Sequence, residues 1–157
     1  SFGFGGTVAY RGFDLSVFFN GAANTSINMA GFGMWPFYDG LGSNNILKEY
    51  YDNRWTPNNP NAKYPAVDVG NNPNNFVNST IWMKNGNYLR LRNAEIGYTF
   101  PEKWFADWHI GSLRLFANGM NLLTFDHIKI IDPESNDGTG AYPLQRSWNF
   151  GLQINFK

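Results

Sequence analysis

The chain has 157 residues, enough for one domain, and its 12 basic and 12 acidic residues balance to a formal net charge of zero. This balance excludes a basic surface for nucleic acid, and the absence of cysteine excludes disulfides, thiolate metal sites and cysteine nucleophiles. Charged residues make up only 15% of the chain and aromatic residues 18%. No apolar run approaches the roughly 18 residues of a transmembrane helix, but membrane barrels have alternating strands and an unremarkable mean hydropathy.

The first two predicted strands form a hairpin. Residues 2–10 and 13–20 each alternate between apolar and other side chains, and Arg11-Gly12 between them suits a two-residue turn. Such a turn pairs residue 10 with residue 13, which brings both apolar sets to the same face. The alternation is already under way at Ser1, so we expect the chain to be an internal piece of a longer polypeptide.

A long connection, residues 21–87, follows the hairpin. Its runs of Asn, Gly and Pro exclude long strands and helices, and its many aromatic residues predict an ordered, packed loop. The stretch "NNILKEYYDNRW" is typical of a short helix, with Asn44 or Asn45 as a candidate cap. The residues expected to share one face of that helix are Ile46, Leu47, Tyr50, Tyr51 and Trp55.

Three further strands are predicted, over residues 88–100, 112–125 and 145–156. In the first of these, Leu89 and Leu91 are in one phase and Ala94, Ile96, Tyr98 and Phe100 are in the other. Either a bulge near Arg92-Asn93 or a change of surroundings along the strand would reconcile the two phases. Residues 101–111 form a short connection and residues 126–144 a longer loop.

Short and long connections alternate along the chain, which is typical of outer-membrane barrels with short periplasmic turns and long extracellular loops. The sequence therefore predicts an all-β protein with about five antiparallel strands of a large transmembrane β-barrel. Its apolar strand faces would contact lipid. The predicted lipid-facing residues are Phe13, Leu15, Val17, Phe19, Leu113, Leu115, Trp148, Phe150, Leu152, Ile154 and Phe156.

Several blocks carry a family resemblance, and they occur in a characteristic order. They are "YLRLRNAEIGYTFPEKW", "LRLFANGMNLLTF", "DPE" and "YPLQRSWNFGLQINF", preceded by "LKEYYDNRWTPNNPNAKYP". In this order they resemble the C-terminal end of SusC/RagA-type TonB-dependent outer-membrane transporters, although Lys157 follows the closing aromatic residue. The resemblance implies that residues 1–157 are the C-terminal portion of a barrel of about 22 strands, whose plug domain lies outside this chain.

The resemblance also implies a function and partners. Such transporters lie in the Gram-negative cell outer membrane and import oligosaccharides or peptides with a SusD-like surface lipoprotein as lid. Expected partners are the remainder of the same barrel, the SusD-like lipoprotein, outer-membrane lipid, and the TonB complex through an N-terminal region outside these residues. No cofactor and no nucleic acid is expected.

Four loop aromatics, Trp35, Tyr38, Tyr51 and Trp55, are candidates for stacking on substrate or meeting a partner protein. The alternative, which we favour, is that they pack within the loop. We predict no catalytic residue, no metal site and no enzyme, because no nucleophile has a supporting base and the "DPESNDG" stretch at 132–138 fails the EF-hand spacing.

Two other classes of protein are weighed against the transporter. A soluble glycan-binding β-sandwich would have shorter strands, buried against a second sheet. An outer-membrane barrel hydrolase would need a nucleophile and base aimed at one point, and the sequence offers none.

Overall fold

The computed structural model describes residues 1–31, 35–37, 45–68, 72–134 and 142–157. They separate into two compact units. The sheet unit comprises Ser1–Ala23, Tyr88–Phe125 and Leu144–Lys157, and the loop unit comprises Asn24–Asn87 and Asp126–Pro143. Among the described residues, no helix has the length and apolar character needed to cross a membrane.

The described residues form seven strands and one α-helix, α1 (Lys48–Asp52). The strands are β1 (Phe2–Tyr10), β2 (Phe13–Ala22), β3 (Ser26–Asn28), β4 (Met83–Asn85), β5 (Tyr88–Thr99), β6 (Ile110–Asp126) and β7 (Ser147–Phe156). Five of them make one antiparallel sheet in the order β1-β2-β5-β6-β7, which confirms the predicted fold class.

The strand bounds differ from the sequence expectation at both ends of the sheet. β2 continues to Ala22 because Gly21 and Ala22 pair with Leu89 and Tyr88, although the apolar alternation has already stopped there. β6 begins at Ile110 instead of residue 112, and β7 begins at Ser147 instead of residue 145. Backbone hydrogen bonds between paired strands determine where these strands begin and end, and the amino-acid composition does not reveal those bonds.

The hairpin turn has the geometry that its residues favour. Arg11 and Gly12 have φ angles of 49° and 88°, and positive φ at both central positions is what a two-residue hairpin turn of this kind requires. Tyr10 therefore pairs with Phe13. Gly12 is also tightly surrounded, since a Cβ there would lie 2.7 Å from the carbonyl oxygen of Thr99.

A β-bulge in β5 reconciles its two hydrophobic phases. Phe18 pairs with Asn93 and Phe19 with Leu91, so Arg92 is the extra residue on the bulged strand. Because of this one-residue insertion, Leu91 lies on the same face as Ala94. The bulge, and not a change of surroundings along the strand, is the explanation.

The loop unit has its own core. Tyr50 stacks on Tyr64 with ring centroids 4.7 Å apart, and Trp82 lies 5.8 Å from Tyr50 and donates its indole N–H to the carbonyl of Asn75 at 3.1 Å. Ile27, Met29 and Ile128 complete the cluster of buried residues. β3 pairs with β4 beside this core, and strands of three residues are too short for sequence alternation to reveal.

The expectations for the helix in this unit are partly wrong. The residue before α1 is Leu47, which has an extended backbone and no side-chain cap, while the Asn45 side chain accepts from the N–H of Ile46. Asn44 lies outside the described residues. Tyr50 is buried whereas Tyr51 is exposed, because consecutive residues on a helix point about 100° apart.

Candidate functional site

One face of the five-stranded sheet is apolar and exposed. The register places Phe4 opposite Phe19, Leu15 opposite Ile96, and Leu115 opposite Leu152. The apolar residues of neighbouring strands therefore lie side by side on one face. Phe150, at 82% exposure, is the most open of the aromatic side chains on this face. Soluble monomers rarely expose a continuous apolar surface of this extent.

All eleven residues that the sequence analysis assigned to lipid lie on this apolar face. Val17, Phe19 and Leu113 are half-buried by neighbouring side chains, and the others are exposed. The apolar residues of β6 and β7 lie on the same face of the sheet as those of β2 and β5. This follows because Arg114, which alternates with Leu113 and Leu115 along β6, contacts Asp14 and Glu95 on the opposite face.

The opposite face carries a charged network that spans four strands. The Arg114 guanidinium donates to both carboxylate oxygens of Asp14, with Nε 3.0 Å from Oδ2, and to Oε1 of Glu95 at 2.7 Å. Asn118 donates to Glu95 at 3.2 Å, and Asn149 donates to Asn118 at 2.9 Å. The network contains one cation and two carboxylates, so it has a net negative charge.

Two aromatic residues on this polar face interrupt the polar pattern, and glycines explain them. Phe18 covers Gly3 and Gly5 of β1, where a Cβ would come within 3.0 Å and 3.1 Å of its ring. Phe116 covers Gly151 of β7 in the same way, with a Cβ position only 2.2 Å from the ring. Each ring therefore fills space that a neighbouring strand leaves by lacking a side chain.

Aromatic rings also collect at the end of the sheet that has the short connections. Phe13 contacts Tyr98 with ring centroids 4.5 Å apart, and Phe100 contacts Tyr98 at 4.9 Å and Trp104 at 5.8 Å. Trp108, in the second of two 3₁₀ turns that join β5 to β6, is exposed. Trp104 and Trp108 were not among the predicted site residues, although an aromatic pair in a short connection between alternating strands is a signal that could have indicated them.

The closing residue is attached to this same end of the sheet. The backbone N–H of Lys157 donates to the carbonyl of His109 at 2.9 Å, and its ammonium lies 2.5 Å from the Glu102 carboxylate. The pairing with Lys157 holds the pKa of Glu102 below its ordinary value. Lys157 therefore continues the ordered structure beyond the last aromatic residue.

The four loop aromatics behave differently from one another. Trp35 is half-buried and packs edge-on against Phe76 at 5.2 Å, so it belongs to the loop packing. Tyr51 and Trp55 are exposed, and the Arg54 guanidinium lies 3.6 Å from the centroid of the Tyr51 ring. Tyr38 lies outside the described residues.

Metal chemistry has no visible support in the part of the chain that the structure describes. No group of three or more histidine, aspartate or glutamate side chains is placed there to hold an ion. Residues 135–138 of the "DPESNDG" stretch lie outside the described residues.

Comparison with known proteins gives a consistent set of relatives. TonB-dependent receptor P3 of Formosa agariphila is 28% identical over 168 aligned positions, covering 98% of this chain and 16% of the relative. The TonB-dependent receptor SusC of Bacteroides thetaiotaomicron is 29% identical over 99 positions, covering 61% of this chain and 10% of the relative. No protein-family profile matches the chain.

Solved structures give the same result. A chain of the RagAB peptide importer in its open-open state superposes with a TM-score of 0.71 and 26% identity, covering 98% of this chain and 17% of that one. The closed-closed state gives a TM-score of 0.67 at the same identity of 26%, over 93% of this chain and 16% of that chain. The chain thus spans about a sixth of the length of the relatives it matches.

The fold is that of the C-terminal part of a TonB-dependent receptor β-barrel. Within that class, the homologues include SusC and the structural neighbours are RagAB, so the resemblance to SusC/RagA-type proteins is confirmed. These relatives are receptors and importers and not enzymes, which agrees with the prediction that the chain has no catalytic function.

Proposed function

We propose that the chain is the C-terminal part of an outer-membrane transporter that depends on TonB and imports oligosaccharides or peptides into a Gram-negative cell. The observation that carries this proposal is the exposed apolar face shared by all five strands of the sheet. These strands are 9 to 17 residues long, whereas soluble strands average about five or six. A membrane-spanning strand needs about 9–11 residues.

In this proposal the apolar face contacts lipid and the polar face lines the lumen. Lipid would cover the eleven apolar-face residues assigned above, and the aromatic rings near the hairpin turn would lie at the membrane–water interface. The Arg114 network suits a lumen because its half-buried carboxylates keep contact with water there. A soluble β-sandwich is disfavoured, since it would bury the apolar face against a second sheet.

The outer strands of the sheet require partners. In the described part of the chain, β1 and β7 each have one neighbour, and an unpaired strand edge within a bilayer leaves backbone groups unsatisfied at several kcal/mol each. We propose that the remainder of the same barrel supplies the pairing strands. The TonB complex would act through an N-terminal region of that barrel.

Residues 21–87 and 126–144 would then be extracellular, and the turns at residues 11–12 and 101–109 periplasmic. A SusD-like lipoprotein would cover the extracellular side. Tyr51 and Trp55 are the better candidates for contact with substrate or lid, because their rings are exposed while Trp35 packs within the loop unit.

The assignment of faces is tested by comparing Leu152→Arg with Gln153→Arg in the full-length protein. Leu152 is on the apolar face near the middle of β7, where an arginine in lipid would cost roughly 2–4 kcal/mol. Gln153 lies opposite Arg114, beside a network with net negative charge, so a second arginine there should be tolerated. We expect Leu152→Arg to reduce strongly the amount of folded barrel in outer-membrane fractions, measured by heat-dependent gel mobility. Equal losses from the two variants would contradict the assignment.

Transport itself is tested by uptake. Cells expressing the full-length protein should accumulate a labelled oligosaccharide or peptide, and deletion of TonB should abolish that accumulation. Accumulation that persists at the same rate without TonB, or none of either ligand class in cells with assembled barrel, would refute the transporter proposal.

A further inference from the structure

A cleft in the loop unit combines a buried apolar floor with a basic rim. Its volume is about 120 Å³. The floor is made by Met29, Tyr64 and Ile128, all of them buried. The rim carries the lysines Lys63, Lys84 and Lys129, together with Glu49 and His127.

Two of the three lysines already have carboxylate partners. The Lys63 ammonium lies 2.5 Å from Glu49, and the Lys129 ammonium lies 2.6 Å from Asp126. The Lys84 ammonium lies 4.9 Å from the centroid of the Tyr64 ring and, among the described residues, has no hydrogen-bond acceptor or carboxylate partner. Among the described residues, Lys84 is therefore the lysine of the cleft whose ammonium has no direct carboxylate contact.

The position of Lys84 in the fold explains this. It lies in β4 opposite Ile27, whose side chain is buried, so the lysine stem is held against the core while its ammonium reaches the cleft. Burial, and then the charge of nearby Lys63, lower the pKa of Lys84, while the charge of Glu49, which Lys63 already pairs, partly opposes this shift. An anion bound at the mouth of the cleft would stabilise the charged form of a partly desolvated ammonium that lies beside a second ammonium.

We propose that this cleft binds a carboxylate group of an acidic ligand, with Lys84 as its cation and the apolar floor holding the ligand's aliphatic arm. The unpaired ammonium selects the negative charge, and the thioether of Met29 and the side chain of Ile128 favour a short hydrocarbon beside it. A glutamate side chain of a peptide and a uronic acid of an oligosaccharide share this carboxylate. The inference rests on the proposed transport function for the statement that such ligands reach the loop unit.

The test uses the full-length protein, purified in detergent, and measures binding by calorimetry. The probes are an end-capped alanyl-glutamyl-alanine tripeptide and digalacturonic acid, each compared with a neutral counterpart, the glutamine tripeptide or the methyl ester. At least one acidic probe should bind about tenfold or more tightly than its neutral counterpart. Preference in the tripeptide pair identifies a peptide carboxylate, and preference in the sugar pair identifies a uronic acid.

Three variants locate the effect. Lys84→Met, which keeps the aliphatic stem, should remove the preference for the acidic probe, and Lys84→Arg, which keeps the charge, should retain most of it. Lys48→Met is the matched control, because Lys48 belongs to the same unit but its side chain is 86% exposed, pairs with Asp52 and does not line the cleft. Circular dichroism of each variant checks folding. Should Lys84→Met fail to fold, the Lys84→Arg variant and the acid-to-neutral ratio of the unmodified protein decide the question.

The proposal is overturned when acidic and neutral probes bind equally well, or when Lys48→Met lowers the acidic preference as much as Lys84→Met. Its failure is distinguishable from failure of the transport proposal. Selective binding in detergent without TonB-dependent uptake would retain the cleft and refute transport. TonB-dependent uptake with no preference for acidic probes would retain transport and refute the cleft.

Discussion

Gly5 and Gly6 are neighbours in β1, but their surroundings are opposite. A Cβ on Gly5 would lie 2.5 Å from the carbonyl oxygen of Val17 and 3.1 Å from the Phe18 ring. A Cβ on Gly6 would meet nothing within 4 Å. Gly5 points to the polar face, where Phe18 covers it, whereas Gly6 points to the open apolar face.

This contrast predicts different effects of the same substitution. Gly5→Ala should destabilise the protein by about 1–3 kcal/mol, because a backbone carbonyl must move to admit the methyl group. Gly6→Ala should be neutral or slightly stabilising, by up to about 1 kcal/mol, because the methyl group enters open space and the unfolded chain loses freedom. The temperature at which the folded gel form disappears would measure both. A larger loss from Gly6→Ala would contradict the close approach of β1 and β2.

Individual residues also show where sequence reasoning stops. The exposed apolar side chains from Phe13 to Phe19 could be assigned to a face because their alternation is regular and the turn at Arg11-Gly12 sets the register. Lys84 could not be recognised, because its role depends on the Tyr64 ring and on Ile27, which are distant in sequence and meet only in the folded loop unit.

At the scale of elements, the loop unit depends on a stack of aromatic rings in its core. Tyr50, Tyr64 and Trp82 are mutually in contact, with centroid distances from 4.7 to 6.1 Å. Burial raises the pKa of Tyr50 to about 12. An unfolded tyrosine ionises near pH 10, so the unfolded form of this unit loses its proton first as the pH rises.

The resulting pH dependence has a definite sign. Stability from the neutral Tyr50 phenol is fully present below about pH 10 and is lost as the pH rises toward about 12, because only the unfolded state then gains from ionisation. We expect hydrogen-exchange protection of α1 to fall across this interval. Tyr50→Phe should reduce that fall, leaving the part due to Tyr64, whose pKa burial also raises, while Tyr51→Phe, which changes an exposed ring, should retain it in full. The same fall in all three proteins would contradict the role given to Tyr50.

The elements were not equally predictable. Long strands were readable because lipid-type alternation persists through β1, β2 and β7, and the β5 phase change itself indicated where a bulge could lie. β3 and β4 could not be predicted, because a strand of three residues is too short to show an alternating pattern. The predicted cap of α1 was wrong. The Asn45 side chain accepts a hydrogen bond from the adjacent Ile46 N–H, and Leu47 is the residue that precedes the helix.

At the scale of the whole molecule, the sheet unit is defined by the difference between its two faces. One face is apolar and exposed, and the other carries the Arg114 network and glycine positions covered by Phe18 and Phe116. Alternation with a two-residue period predicted that two faces exist. It could not predict that carboxylates from β2 and β5 converge on one guanidinium of β6, because that convergence depends on strand order and register.

The most direct test of the account is cysteine scanning of β7 in the full-length protein within intact outer membranes, since this chain contributes no cysteine of its own. Single cysteines at Asn149, Gln153 and Asn155 should react with a membrane-impermeant thiol reagent, because they would line a hydrated lumen. Single cysteines at Trp148, Phe150, Leu152 and Ile154 should be protected by lipid. A two-residue alternation of reactivity is the predicted result. Uniform reactivity along the strand, or protection of the polar positions instead, would contradict the membrane-spanning assignment.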